Sequence, residues 1–463
     1  MDARDQIIVH LQNFIFELEK KLAQRDELIA KLEKRIDQLE AEVRVLKTRK
    51  SSGNSSLPPS TDFGKVGPKP NQSLRTQSDK KTGGQPGHEG STLKMSSSPD
   101  VIEPLLPTVC SGCSHSLEGQ EPLLVGRRQV VDLPPIMPIY TEYQQFERIC
   151  PCCSLRQAAP FPAHVQAPIQ YGPHVMSTLA YLHTRQFIPF ERSKELMNSL
   201  FGLPISEGSI ANLLEKMVEK AMPVYEKIRQ NILESSHAGA DETGCKVNGK
   251  KHWFWTLQNQ QSTFIWLSKT RGYDAVEEQF ADQLKDHILI HDCWAAYFQT
   301  GAKAHQLCLA HLSRDLQFLK ELHPQQKWVE AIQNLFSQAL TLKREMVEDL
   351  PKHWITARNK LEEQLKTWVE MPLEMAGKQV LKLQKRLKKH LHSLTTFLHH
   401  LHIPPDNNGS ERAIRNVKVK QKVSGQFKSE KGADGFAVLR SVIDTLIKND
   451  KPVFESLVQV AGW

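Results

Sequence analysis

Apolar residues recur at three- and four-residue intervals through the first fifty positions. Ile8, Ile15, Leu22, Ile29, Ile36 and Val43 fall at one heptad position, and Leu11, Leu18, Leu32, Leu39 and Leu46 at the other; only Arg25 interrupts the second series. Mostly β-branched residues in the first series with leucine in the second favour a parallel two-stranded coil. Arg25 inside such a seam lowers stability while fixing register or partner choice. The spacing predicts a coiled-coil oligomerisation helix over 1–50 that joins two copies of the chain in a homodimer or higher oligomer. A single amphipathic helix packed on its own protein is the alternative.

The pattern stops at Ser51. Ser51–Ser60 and Gly83–His88 hold too few apolar residues to bury a core. Lys65, Lys69, Arg75, Lys80, Lys81 and Lys94 make 51–100 a basic linker, suited to a phosphate backbone or simply to flexibility. Over 101–165, runs such as Arg127–Asp132 and Ile139–Tyr143 read as strands. Over 166–235 the period is helical. Phe190–Ser199 and a helix capped by Ser206, with Ile210, Leu213, Leu214 and Met217 on its apolar face, flank the turn Phe201–Pro204. That order resembles a helix-turn-helix, although ordinary helix packing explains it equally.

From residue 236 the period changes to that of strands. His237–Asp241, Lys251–Leu257 and Ser262–Leu267 predict a strand followed by a hairpin. Tyr273–Leu284 reads as a helix, His287–His291 as a strand delivering Asp292, and Ala304–Leu309 as a further strand. Residues 316–400 are helix-forming and nearly free of glycine. Lys378, Lys382, Lys385, Arg386, Lys388 and Lys389 give them one basic face, which suits DNA or solvent alike. The breaker Ile403–Gly409 ends that stretch, and Ser410 is the expected cap of the helix that presents Glu411. The fold expected is a multidomain α+β chain: coiled coil, zinc-binding domain, helical DNA-binding region, and a ribonuclease-H-like α/β catalytic core. The core takes 236–315 and 401–450, an all-helical insertion takes 316–400, and a tail takes 451–463.

Composition narrows the class. The chain has 463 residues, a formal charge of +8 and eight cysteines. No stretch approaches the roughly 18 apolar residues of a membrane span, and the N-terminus lacks an apolar signal core. A cytoplasmic protein without a membrane partner is expected. In a reducing compartment the cysteines call for metal or core roles. Cys110, Cys113, Cys150 and Cys153 form two pairs with the knuckle spacing of a four-thiolate structural Zn²⁺ site; Cys152 is surplus, and the choice between it and Cys153 stays open.

Three acids stand in settings suited to catalytic metal. Asp241 and Asp292 each end an apolar, strand-like run, and Glu411 opens a basic helix. Two carboxylates at neighbouring strand ends and one on a later helix can hold two divalent cations, Mg²⁺ or Mn²⁺, about 3.5–4 Å apart for in-line phosphoryl displacement. On the same helix Arg412, Arg415, Lys418, Lys420 and Lys422 would supply charge to a phosphate groove, and Glu411 and Arg415 share a face.

In this order the motifs are specific. Asn54–Asp62, Gly83–Gly90, the two cysteine pairs, Ala240–Gly244, Asp292–Tyr297, Cys308–His311 with Arg314, and Asn407–Arg415 together resemble transposases of the insertion sequence 66 family, of the DDE class. The resemblance spans essentially the whole chain. It implies an enzyme that binds the ends of an insertion element in double-stranded DNA, cuts them and joins them to target DNA, with Asp241, Asp292 and Glu411 as the acidic triad. It also implies a Cys-x-x-His element at Cys308 and His311, as metal ligands or as a packed pair. Gly409 and Cys152 depart from the family pattern. A nuclease without strand transfer and a zinc-dependent DNA-binding regulator with a decayed core are the competing classes. Accessory transposition proteins are left open as partners.

Overall fold

The computed structural model describes residues 3–47, 87, 93–373 and 376–462. The linker expected over 51–100 lies outside them apart from residue 87 and 93–100. The described residues fall into two compact units, one drawn from 3–47, 161–193 and 207–462, the other from 93–160 and 194–206.

Helix α1 (Ala3–Lys47) runs without a break for 45 residues. Its heptad positions Ile8, Leu11, Ile15, Leu18, Leu22, Ile29, Leu32, Ile36, Leu39 and Val43 are all exposed. In the second unit β1 (Glu147–Ile149) and β2 (Arg156–Ala158) form a short antiparallel hairpin. The strands expected at Arg127–Asp132 and Ile139–Tyr143 do not form; pairing occurs instead beside the cysteine turns, at β1/β2 and at the Val109–Ser116 bridge. A tight turn brings its own flanks into register, and those two runs have no such turn between them.

Helix α2 (Pro173–Ala180) is followed by α3 (Phe190–Phe201) and the 27-residue α4 (Glu207–Leu233). In α4 the predicted apolar face, Ile210, Leu213, Leu214 and Met217, is buried. Its C-terminal half docks on the sheet, where Tyr225 stacks on Phe264 at 4.5 Å between ring centroids and donates to the Ile265 carbonyl at 2.8 Å. Core packing accounts for this helix.

The central sheet contains β3 (His237–Val247), β4 (Lys250–Gln258), β5 (Thr263–Ser268), β6 (Ile288–His291) and β7 (Ala304–Leu307), with α5 (Asp274–Phe280) between β5 and β6. The order is β5-β4-β3-β6-β7. The first three strands are antiparallel, whereas β6 and β7 run parallel to β3. Asn248 and Gly249, with φ of 46° and 76°, make the tight β3–β4 turn that an Asn-Gly pair favours. Asp241 does not end its strand, as the sequence suggested. β3 continues to Val247 because β4 pairs with it from Gly239 onward, while β6 matches only His237, Ala238 and Gly239.

Helices α6 (Leu309–Leu322), α7 (Lys327–Arg344), α8 (Lys352–Glu370) and α9 (Lys378–Lys389) form the expected helical stretch. They share a core containing Trp328, Phe336, Trp354, Leu365, Leu383 and Phe397. Then come α10 (Asn408–Ser424), α11 (Glu430–Lys448) and α12 (Val453–Ala461). Ser441 on α11 accepts a hydrogen bond from the Ile265 amide at 2.8 Å, tying that helix to β5. The last segment is not a tail, since α12 buries Leu457 and Ala461. None of the described helices is long and apolar enough to cross a membrane.

Candidate active site

The β3–β6 register sets the first two acids. His237, Ala238 and Gly239 lie opposite Ile288, Leu289 and Ile290. Continuing that register by two residues puts Asp241 level with Asp292, where β6 has ended and β3 runs on. Each carboxylate is fixed locally: Asp241 Oδ1 accepts from the Glu242 amide at 2.9 Å, and Asp292 Oδ1 from the Trp294 amide at 3.1 Å. Between the latter two residues, Cys293 takes φ 78°, turning the chain sharply off the strand.

Glu411 arrives from α10. The helix begins at Asn408, so Ser410 is not its cap; it lies buried in the first turn and donates to Asn407 Oδ1 at 2.7 Å. Asn407 is itself buried, and its Nδ2 donates to the Ala240 carbonyl at 2.6 Å. Two glycines make the approach feasible. A Cβ on Gly239 would lie 2.6 Å from Gln258 Nε2 and 2.7 Å from Ser410 Oγ, and one on Gly409 would lie 2.5 Å from Gln258 Nε2. The first turn of α10 is thus seated on β3 beside Asp241.

Burial and neighbouring acids raise both aspartates. Burial pushes the Asp241 carboxyl well above its ordinary range, and the charges of Asp292, Glu242 and Glu411 push it further. Asp292 rises to about 6 through burial and the charge of Glu242, against the Trp294 amide and Arg271. Like charges desolvated together raise carboxyl pKa values, and a bound dication relieves both causes.

On the other side of Glu411, Oε1 lies 3.5 Å from His311 Nδ1 and 3.6 Å from Arg314 Nη2, yet this buried oxygen accepts no hydrogen bond. Burial holds His311 down at about 3, so its imidazole is neutral. Among the described residues, Cys308, His311 and Glu411 are the one group of three metal-capable side chains with donor atoms all within 4.8 Å. The three acids do not close to that distance as a set.

Of the basic residues on α10, Arg412, Arg415, Lys418 and Lys422 are exposed, and the negative charge of Asp241 acts on Lys418. Lys420 is a correction. It is 3 % exposed, and its Nζ lies 3.3 Å from His183 Nδ1, because it falls on the buried face with Ala413 and Val417. It is not placed to meet a phosphate.

Residues 168–435 match the family described as Transposase IS66 family. The chain belongs to that family. It is a transposase, an enzyme acting on DNA, and the match covers both strand-borne acids and the helix that carries Glu411. Residues 9–94 match a family of unknown function (DUF6444). No curated protein matches the chain.

The cysteines of the transposase's second unit form two copies of one turn. Cys110 and Cys150 donate through their amides to the carbonyls of His115 and Leu155, and their carbonyls accept from Ser114 and Ser154, all at 2.9 Å. Ser114 and Ser154 share φ of 59° and 58°. Backbone hydrogen bonds lower the pKa of Cys110 and Cys150, which favours thiolate. The four thiols are not all within 4.8 Å of one another.

The sequence assigned no role to Glu242 and Tyr297, which lie within the Ala240–Gly244 and Asp292–Tyr297 motifs, and did not single out Arg271. The Glu242 side chain is only 2 % exposed; Arg271 donates to it from Nε and Nη2 at 2.9 and 2.6 Å, and the Tyr297 hydroxyl donates to its other oxygen.

Proposed function

We propose that this transposase works by metal-assisted phosphoryl transfer of the DDE type, on a ribonuclease-H-like core carrying Asp241, Asp292 and Glu411. It cuts strands at the ends of an insertion element and transfers them to target DNA. The observation that carries the reading is geometric: the β3–β6 register brings Asp241 level with Asp292, and Asn407 seats the first turn of the Glu411 helix on Ala240 beside Asp241. The strand order supports it, since a first strand parallel to the fourth puts two of the acids at one level.

The residues fit hard dications. Asp241 and Asp292 offer buried carboxylate oxygens crowded by like charge, and Glu411 Oε1 is buried without a hydrogen bond. Oxygen donors suit Mg²⁺ or Mn²⁺. When bound, such ions activate an attacking water or DNA 3′-hydroxyl and stabilise the leaving 3′-oxygen. The protein's own residues do the rest: the Glu242 and Trp294 amides aim the two aspartates, and Asn407 anchors the Glu411 helix. Exposed Arg412, Arg415 and Lys418 draw phosphate to the site.

The outlying parts fit the same reading. The exposed apolar seam of α1 would pair two copies, which suits an enzyme handling two DNA ends. Each cysteine turn presents two thiols as half of a tetrahedral site, and Zn²⁺ binding would draw Cys110, Cys113, Cys150 and Cys153 together, with Cys152 beside them. A cytoplasmic setting, where DNA and reduced thiols coexist, suits both.

The decisive test uses the full chain, DNA carrying element ends, Mg²⁺ and a target plasmid. Asp241→Asn, Asp292→Asn and Glu411→Gln should each lose cleavage and strand transfer while still binding DNA. Cutting by any one of them removes that residue from the triad. Cleavage by the wild type without strand transfer makes the protein a nuclease of the same fold.

A further inference from the structure

Asp241 lies on β3 and Asp292 just past the end of β6, and something must hold their spacing before a metal arrives. A closed path of side chains joins them. The Glu242 amide donates to Asp241, and the Glu242 carboxylate takes two hydrogen bonds from the Arg271 guanidinium. That guanidinium lies over the Trp294 ring at 4.0 Å, the Trp294 indole donates to the Arg271 carbonyl at 3.1 Å, and the Trp294 amide donates to Asp292. Arg271 is therefore bound at both ends, to the residue after one acid and to the residue two beyond the other.

The anchor is firm. The carbonyl of Thr270, next to Arg271, accepts from the buried Trp255 indole at 3.1 Å, and Gly272 donates to Thr270 Oγ1 at 2.9 Å. Glu242 is held a second time by Tyr297, which is buried and lies on the chain just past Trp294. A planar guanidinium makes paired hydrogen bonds and stacks on an indole at the same time, which an ammonium does not do.

We propose that Arg271, clamped between Glu242 and Trp294, is a positioning residue that sets the distance between Asp241 and Asp292 and thereby tunes divalent-metal binding. It touches neither substrate nor metal. The inference rests on the two aspartates being metal ligands, and groups that orient metal ligands commonly govern affinity about 10- to 100-fold.

The test measures Mn²⁺ binding to the full-length, DNA-free chain by electron paramagnetic resonance of free Mn²⁺. It also measures the Mg²⁺ concentration that half-saturates cleavage. Arg271→Ala should weaken both by about 10- to 100-fold and be rescued by excess metal, with DNA affinity unchanged. Arg271→Lys, which keeps the charge but not the fork, should fall between. Trp294→Phe keeps a ring without the indole donor and gives an independent, milder perturbation if Arg271→Ala does not fold. Unaltered Mn²⁺ binding in folded Arg271→Ala, or in Trp294→Phe where that chain is the one available, overturns the proposal. So does a loss confined to DNA affinity, which would make Arg271 a phosphate contact. Asp241→Asn is the control: if it leaves Mn²⁺ binding intact, the metal-ligand reading beneath the proposal fails instead.

Discussion

The side-chain amide of Asn407 donates to the carbonyl of Ala240 at 2.6 Å, joining residues 167 apart in sequence. Ala240 precedes Asp241, and Asn407 begins the turn that carries Glu411. The same asparagine receives Ser410 through Oδ1 and gives its backbone amide to Cys308 Sγ at 3.2 Å. One buried side chain thus fixes the third acid relative to the first.

Replacing it tests that role. Asn407→Ala strands the Ala240 carbonyl and the Ser410 hydroxyl in a buried setting, a loss of about 1–3 kcal/mol. Urea denaturation should show it, and cleavage should fall in protein that is still fully folded. Normal cleavage by a destabilised Asn407→Ala chain would mean that Glu411 is positioned by other contacts.

Metal and protons should compete at the aspartates. The folded pKa of Asp292 is raised to about 6, from 3.8. A raised value means that its contribution to stability is full below about pH 4 and is lost as pH rises through about 6. Asp241 shifts the same way. Metal-free protein should therefore lose stability across that window, and Mg²⁺ should restore it only above it. Thermal melts with EDTA and with Mg²⁺ across pH 4–8 measure the difference; an Mg²⁺ effect as large at pH 4 as at pH 8 would contradict it.

Two lysines two residues apart should behave oppositely. Lys418→Ala should weaken DNA binding and reduce the salt slope of log K by about one. Lys420→Met should leave that slope alone, because Lys420 is buried against His183, and should hold or raise stability by removing a desolvated charge. Equal slopes for both variants would refute the placement of α10.

Zinc content checks the cysteine turns. About one equivalent per chain is expected, and it should be lost equally in Cys110→Ser and Cys150→Ser if all four sulfurs serve one ion. Zinc retained by both variants would show that the turns are structural without metal.

Much of the site was legible because its signals are local. Asp241 and Asp292 follow runs whose alternation or apolarity forces a strand, and strand order then fixes their neighbourhood. Lys420 was legible too, lying seven residues after Ala413 and three after Val417 on the helix's apolar stripe, but its charge drew it to the surface in the reading. The helix at 453–461 carried the same kind of stripe in Val453, Leu457 and Ala461. Arg271 was not legible. Its significance comes from Glu242, 29 residues away, and Trp294, 23 away, and no local period encodes a contact of that span. The β3 overrun past Asp241 likewise depends on β4, not on the strand's own sequence.

The helices between β7 and α10 leave and rejoin the sheet at nearly one place. Leu309 donates to the Pro405 carbonyl at 2.9 Å, and Asn407 reaches Cys308 across 99 residues. Those contacts work like the knot at the neck of a bag. Lengthening what lies beyond the knot costs little in closure entropy, about 0.6 kcal/mol for each doubling, whereas its helices pack on β6 through Ile288 and Ile290 and so help to seat Asp292. During synthesis the same arrangement acts as a delay: the aspartates can reach their strands while the ribosome is still some hundred residues short of Glu411. If Asp241, Asp292 and Glu411 act together as proposed, a nascent chain cannot cut DNA until that core is nearly whole.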